Sequence, residues 1–233
     1  MKKIGAITPI WNQEIFLKPH FDMLSSLDKH VVMIQPAPLG QYQQEHGIGE
    51  KPDRSEQLIK EMYPNVEIHY GRGHKEFNEE LYNEILAYVQ DMDIVFRLDV
   101  DMFFTEEDWN KLLEYIQMVD ADAFLMNFKR NSINYYADYD HGAMDAEEFD
   151  PIAFNPKYPL EWRSGLIAGG DMHNIISIDK WMCHHCRGWN KPKSIGKDWV
   201  KDHEEWVKKY NGWHKMPEEI RTKLELWQKQ LKK

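Results

Sequence analysis

Short apolar runs alternate with amphipathic segments over the first 128 residues, and this rhythm limits the fold more than any other feature of the chain. Residues 30–35 carry Val31, Val32, Met33 and Ile34 in succession, the pattern of a strand covered on both faces. Asp93–Leu98 repeats it. Ile4–Thr8, running into Pro9, and Val66–Tyr70, ending at Gly71 and Gly73, read as further strands, and Ala121–Phe128 as one more. Helical periodicity fills the intervals. Glu14–Leu27 offers Phe16, Phe21, Leu24 and Leu27 for burial, with Pro19 either kinking the helix or opening its second half. Arg54–Tyr63 gathers Leu58, Ile59 and Met62 on one side. Glu76–Gln90 repeats Phe77, Leu81, Ile85 and Val89 at a spacing of four. Thr105, with Asp108 three residues on, forms an N-cap pair for a helix carrying Trp109, Leu112, Leu113 and Ile116. Connections of this length suit right-handed crossovers. The expected fold is therefore α/β, a mostly parallel central sheet flanked by helices.

The second half has another texture. From Lys129 to Arg163 the chain is rich in Asn, Asp, Tyr and Pro without a clear period, as in a long functional loop. Two polar helices are expected near the end, over Lys197–Tyr210 and Pro217–Leu231. Residues 1–233 are read as one domain, with 1–128 and 129–233 as its two halves. The net charge is -10, and no dense basic run is present to grip the phosphates of duplex nucleic acid. No apolar stretch approaches the roughly 20 residues of a membrane span. The apolar run after Lys2 and Lys3 is too short for a signal peptide, and two cysteines make no disulfide framework. A reduced, soluble, cytoplasmic protein is expected.

The sharpest chemical signal is Asp99-Val100-Asp101 at the end of the Asp93–Leu98 run. Ligands of open α/β sheets bind beyond the carboxyl ends of the strands. In extended backbone the two carboxylates point to one side, where they repel unless a cation compensates them. Mg²⁺ or Mn²⁺ suits such hard oxygen ligands. The plain alternative is a strand-end turn with capping aspartates. The stretch His185-Cys186-Arg187-Gly188-Trp189-Asn190-Lys191-Pro192 adds an imidazole, a glycine open to close approach and a lysine able to face phosphate, or else is a surface loop. Cys183, His184, His185 and Cys186 also have zinc-ligand chemistry, though within one tight stretch. Asp53, after the second strand, suits a nucleobase or ribose contact, or an ordinary N-cap. Thr8, Pro9 and Asn12 stand where a nucleotide would lie, or form a turn. Gly169, Gly170 and Asp171 form either a ligand approach with a general base or a tight turn, with Glu147, Glu148 and Asp150 as rival carboxylates. Tyr135, Tyr136, Trp162 and Trp189 could stack on sugars, or serve as core and rim. The chain has no Gly-x-x-x-x-Gly-Lys loop, no Gly-x-Ser-x-Gly elbow and no dinucleotide fingerprint after Gly71-Arg72-Gly73.

The order of strands, with Thr8-Pro9, Asp53-Arg54-Ser55, Tyr63-Pro64-Asn65-Val66 and Phe96-Arg97-Leu98-Asp99-Val100-Asp101, resembles GT-A-fold nucleotide-sugar glycosyltransferases, especially the family-2-like group. The likeness covers about the first 130 residues in layout. It implies Asp101 as the main metal ligand, Asp99 on ribose or metal, and Asp53 facing the base. Residues 185–192 resemble the His-x-x-Gly-x-x-Lys-Pro signature of glycogenin-like transferases, with Lys193 where a tryptophan usually follows. That implies His185 as a metal ligand and Gly188 and Lys191 as diphosphate contacts. Asp171 lies about where inverting members place the base, without the usual acidic neighbour. The resemblance thus implies a metal-dependent glycosyltransferase. It would use Mn²⁺ or Mg²⁺ and take a nucleotide diphosphate sugar to an acceptor hydroxyl on a sugar, lipid-linked sugar, protein or modified nucleic acid. Its first half would bind the donor and its second half the acceptor. A metal-dependent nucleotidyltransferase or phosphohydrolase and a non-catalytic carbohydrate-binding or assembly module are the alternatives.

Overall fold

A computed structural model describes residues 1–10, 12–35, 53–71, 78–127, 132–134, 149–163, 166–178, 180–181, 183–186 and 217–232. The first strands follow the apolar runs: β1 (Ile4–Ile10), β2 (Lys29–Ile34), β3 (Glu67–Tyr70) and β4 (Ile94–Arg97). Between them lie α1 (Leu17–Leu24), α2 (Ser55–Met62) and α3 (Asn78–Leu86). A two-residue strand β5 (Met102–Phe103) precedes α4 (Glu106–Met118), and β6 (Ala123–Asn127) follows it. The rest comprises β7 (Ser132–Asn134), β8 (Phe149–Phe154), β9 (Leu160–Arg163), β10 (Leu166–Gly169), β11 (Ile175–Ile178), β12 (Cys183–His185) and α5 (Glu218–Leu231).

The central sheet has the order β11-β6-β8-β4-β1-β2-β3. Only β8 runs against its neighbours, so the sheet is mostly parallel, as expected. A small sheet, β5-β12-β7, and the hairpin β9-β10 complete it. Alternation along β1 assigns the faces. Ile4, Ala6 and Ile10 join clusters that hold Trp109, Leu112 and Ile116 of α4, Leu17 and Phe21 of α1 and Ile59 of α2. Ile7 faces the other way, toward Leu81, Tyr82 and Ile85 of α3 and Leu160 of β9. Thr105 caps α4 as its spacing predicts, its Oγ1 accepting from the Asp108 amide at 3.2 Å.

Prolines account for three departures from the sequence expectation. Strand β1 does not stop at Pro9. Asp28 and Gln35 donate to the carbonyls of Ile4 and Ile10, so even positions of β1 bond to β2 and odd positions face β4. The β4 ladder ends at Ile7, and a residue without N–H breaks nothing beyond it. Helix α1 is shorter than Glu14–Leu27, beginning at Leu17, so Pro19 falls in the first turn, where no intrahelical donor is required. The stretch 129–163 is not loop throughout. Strand β8 inserts between β4 and β6; its ladder to β4 covers only Phe154 and Ala153, so Pro151 lies beyond it, and a register shift between Phe124 and Leu125 leaves Ile152 without a partner on β6. The helix expected over Lys197–Tyr210, together with Phe77 and Gly73, lies outside the described residues.

Phe96 is fully buried in the middle of the sheet, its ring 4.8 Å from that of Trp109. Phe96→Ala should cost about 3–5 kcal/mol in urea denaturation. Met118→Ala, at a residue 77% exposed, should stay within about 0.5 kcal/mol.

Candidate functional site

At the carboxyl end of β4 the chain turns sharply. The Met102 amide donates back to the Asp99 carbonyl at 2.9 Å, which holds Asp99-Val100-Asp101 as a tight bend between β4 and β5. Val100 is pinned inside the cluster that contains Ile10, Phe16 and Phe103. Asp101 is only 4% exposed, and Asp99 is half-buried. The Tyr82 hydroxyl, from α3, donates to Asp99 Oδ1. The Arg97 guanidinium lies over the Tyr82 ring, 5.1 Å from its centroid, and its Nε donates to the Pro151 carbonyl at 3.1 Å. A buried cation thus stands one ring away from the acidic pair.

Strand β12 closes on the same bend. It pairs antiparallel with β5, with His184 opposite Phe103 and His185 opposite Met102. The Cys186 amide then donates to the Asp101 carbonyl at 2.7 Å. The backbone of His185 is therefore adjacent to that of Asp101, although some eighty residues separate them in the chain. The His185 side chain, Gly188, Lys191 and Trp189 lie outside the described residues, as do Glu147, Glu148, Tyr135 and Tyr136 and the side chain of Trp162. Among the described residues no three His, Cys, Asp or Glu side chains form a group able to hold a metal. For the zinc alternative, Cys183 and Cys186 sit in different core clusters. Burial first, and then the charge of Asp101, push both thiols above the usual range.

The neighbouring loop after β1 is tied to the start of α2. Asn12, at φ 48°, accepts from the Asp53 amide at 2.9 Å through its Oδ1. The left-handed region is one that asparagine tolerates. Asp53 accepts from the amides of Glu14 and Ser55 at 2.9 and 2.8 Å, so its two oxygens bind the two segments together as a cap. Helix α5 covers this knot: Trp227 Nε1 donates to the Glu14 carbonyl at 2.7 Å, and Arg54 Nη2 to that of Leu231 at 3.1 Å. Gln13 Oε1 is buried beside it without a hydrogen-bond partner among the described residues. Thr8 is fully buried. Its hydroxyl faces His30 Nε2 at 3.0 Å and His20 Nε2 at 3.5 Å, so it is turned into the interior rather than toward a ligand, while Pro9 is partly exposed.

The structure does not bring Asp171 to the acidic pair. Asp171 is exposed, but the residues after it belong to the amino edge of the sheet. His173 and Asn174 donate to Asp122 Oδ2, just before β6, and Met172 packs with Met92 and Ala123. Asp99 and Asp101 stand beyond the carboxyl end of β4. The length of β4, roughly 13 Å at about 3.3 Å per residue, lies between the two levels. That exceeds the reach of a base serving a reaction at the acidic pair. The glycines before Asp171 are explained by packing. Met172 fills the space beside Gly169, and the Pro159 carbonyl accepts from the Gly170 amide at 2.9 Å.

No protein-family model matches the chain, and no curated protein matches it in sequence. Among solved structures it is similar to S. aureus TarS 1–349, at 12% identity over 78% of this chain and 60% of that one, with a TM-score of 0.47. It is also similar to mannosyltransferase PcManGT from Pyrobaculum calidifontis in complex with GDP-Man and Mn²⁺, at 12% identity over 88% and 59%, TM-score 0.46. A 4-diphosphocytidyl-2C-methyl-D-erythritol synthase from Anaerococcus prevotii is similar at 12% over 88% and 96%, TM-score 0.43. The chain spans about three-fifths of the first two proteins. At these scores neither family nor reaction follows from the likeness.

Four polar side chains of the site escaped the sequence reading. Tyr82 is one residue off the Leu81–Ile85 stripe, and a tyrosine beside a helix stripe reads as ordinary core. Gln13 carries no motif. His20 and His30 meet only through the β1–β2 register and the docking of α1. Burial holds His20 at about 4 and His30 at about 3, far below the ordinary imidazole value. Both are neutral in the fold and take protons first in the unfolded chain. Stability should therefore fall as pH drops below about 6.5, and this loss should be complete near 4 for His20 and near 3 for His30. Urea midpoints at pH 7, 6 and 5 measure this, and His30→Asn should flatten the slope.

Proposed function

We propose that the chain is a divalent-metal-dependent glycosyltransferase moving a sugar from a nucleotide diphosphate sugar to an acceptor hydroxyl. The observation that carries this reading is the buried Asp101 at the carboxyl edge of a parallel sheet, its carbonyl bonded to the residue that follows His185. Ligands of open α/β folds sit at that edge. The donor set fits a hard cation: carboxylate oxygens on one bend, with an imidazole from the adjoining strand. Asp99, Asp101 and His185 would hold Mn²⁺ or Mg²⁺. Bound there, the ion supplies Lewis-acid neutralisation of the leaving diphosphate.

The remaining roles fall to the chain itself. Lys191 contributes fixed positive charge to the diphosphate, and Gly188 permits close backbone approach. Thr8 and Pro9 offer backbone along the nucleotide. Asp53 fixes the loop on which the nucleobase rests, and the orphan Gln13 Oε1 accepts from a base N–H. The acceptor is deprotonated by a carboxylate of the carboxyl edge. By strand polarity that edge includes the beginning of β8, where the Asp150 backbone pairs with Met126, so Asp150 is the candidate among the described residues.

A thermal-shift panel of nucleotide sugars, with and without Mn²⁺, tests the proposal. A sugar nucleotide should stabilise the protein only with the metal. Asp101→Asn should abolish that shift while the unliganded melting point stays close to wild type, and His185→Ala should weaken Mn²⁺ binding about tenfold or more. A shift given by nucleoside triphosphates alone would favour the nucleotidyltransferase alternative. Wild-type donor binding by Asp101→Asn would overturn the assignment.

A further inference from the structure

A line of polar contacts crosses the apolar interior and ends on the acidic bend. His20, on α1, is fully buried, and its Nδ1 lies 3.1 Å from the Met102 carbonyl. A carbonyl only accepts, so the proton is on Nδ1. His20 is held neutral by burial, which makes its Nε2 an acceptor. Thr8 faces that atom and, on its other side, His30 Nε2 at 3.0 Å. One arrangement of protons satisfies every group: His30 Nε2–H to Thr8 Oγ1, Thr8 O–H to His20 Nε2, and His20 Nδ1–H to the Met102 carbonyl. Three elements, β2, β1 and α1, thereby act on the Met102–Phe103 peptide, one residue beyond Asp101. Around His20 the rings of Phe21 and Phe103 stand at 6.1 and 6.0 Å, both edge-on, which fixes its plane.

The same bend carries two more backbone bonds, Met102 amide to Asp99 carbonyl and Cys186 amide to Asp101 carbonyl. A bond from His20 to the Met102 carbonyl thus anchors the junction where the acidic bend, β5 and β12 meet. We infer that His20 is a positioning residue, which through the Met102 carbonyl holds the Asp99–Asp101 bend and the adjoining His185 strand in ligand-ready register. This inference rests on the reading of Asp99, Asp101 and His185 as metal ligands. Its mechanical part, the holding of the bend, can be measured without any metal.

The experiment uses the full chain and three variants. His20→Leu removes the donor. His20→Asn keeps one, because its amide nitrogen stands close to the place of Nδ1. Thr8→Val, nearly isosteric, removes only the hydroxyl that supports the ring. Amide hydrogen exchange of the metal-free proteins is read at Met102 and Cys186 and compared with Phe96 in β4. His20→Leu should speed exchange at Met102 and Cys186 at least tenfold relative to Phe96, His20→Asn should restore most of the protection, and Thr8→Val should fall between them. A purely space-filling role predicts the reverse for the smaller Asn, with no local excess at the bend. Equal effects at all three amides, or no rescue by Asn, would overturn the inference, and if His20→Leu fails to fold, Thr8→Val alone decides it. In a parallel Mn²⁺ titration His20→Leu should bind about fivefold more weakly than wild type. Wild-type protein that binds no Mn²⁺ while the exchange pattern holds would overturn the ligand reading and with it the ligand-ready part of the inference, leaving the bend-holding role demonstrated.

Discussion

A carboxylate removed from water must be balanced by charge or hydrogen bonds, because effective desolvation costs reach several kcal/mol per ion. Asp101 imposes that constraint at the centre of this fold. The structure meets it first with backbone, fixing the bend through the carbonyls of Asp99 and Asp101 and the amides of Met102 and Cys186. It then brings up Arg97, stacked on the Tyr82 ring, whose hydroxyl donates to Asp99. Burial of Arg97 is tolerable for the same reason: the Pro151 carbonyl accepts from its Nε. The negative field reaches the neighbours too, since Asp101 adds to the burial that raises both Cys183 and Cys186. Among the described residues of the region, the hard anionic groups are the aspartates.

The same bend explains why the two halves of the chain cannot be separated at residue 128. Strand β8 lies between β4 and β6, and β11 extends the sheet on the far side of β6. Strand β12 returns across the carboxyl edge to pair with β5. The second half thus completes the sheet on which the first half displays its acidic pair, and it also delivers the His185 backbone to that pair. Helix α5 does comparable work at the other loop, through Trp227 and Leu231.

Most of the parallel sheet was legible in the sequence because its strands are short apolar runs, and the Thr105–Asp108 cap because its chemistry is local. Strand β8 was not. Phe149–Phe154 contains Asp150 and Pro151, which argue against a central strand, and they are tolerated because the β4 ladder stops at Ala153, leaving them paired on the β6 side alone. The acidic pair was legible because strand end, spacing and charge coincide in a few residues. The proximity of His185 was read from resemblance, and the physical cause, pairing of β12 with a two-residue strand, leaves almost no sequence signal. The His20–Thr8–His30 line was hidden for a similar reason. Each member looks unremarkable alone, and only the register of β1 against β2 assembles them. Asp53 shows the limit of motif reading from the other side, since both of its oxygens serve backbone amides.

Asp171 is set apart from the acidic pair by something no local pattern encodes, the edge of the sheet at which a residue emerges. Gly169-Gly170-Asp171 has the composition of a ligand loop, but polarity decides its use. Strand β11 runs parallel to β6, which runs parallel to β4 through the reversed β8 between them. The start of β11 therefore lies at the amino edge, and the start of β8 at the carboxyl edge. Asp171 stands near the first of these and the backbone of Asp150 at the second. In a mixed sheet, one antiparallel strand is enough to move the search for a catalytic base from one end of the molecule to the other.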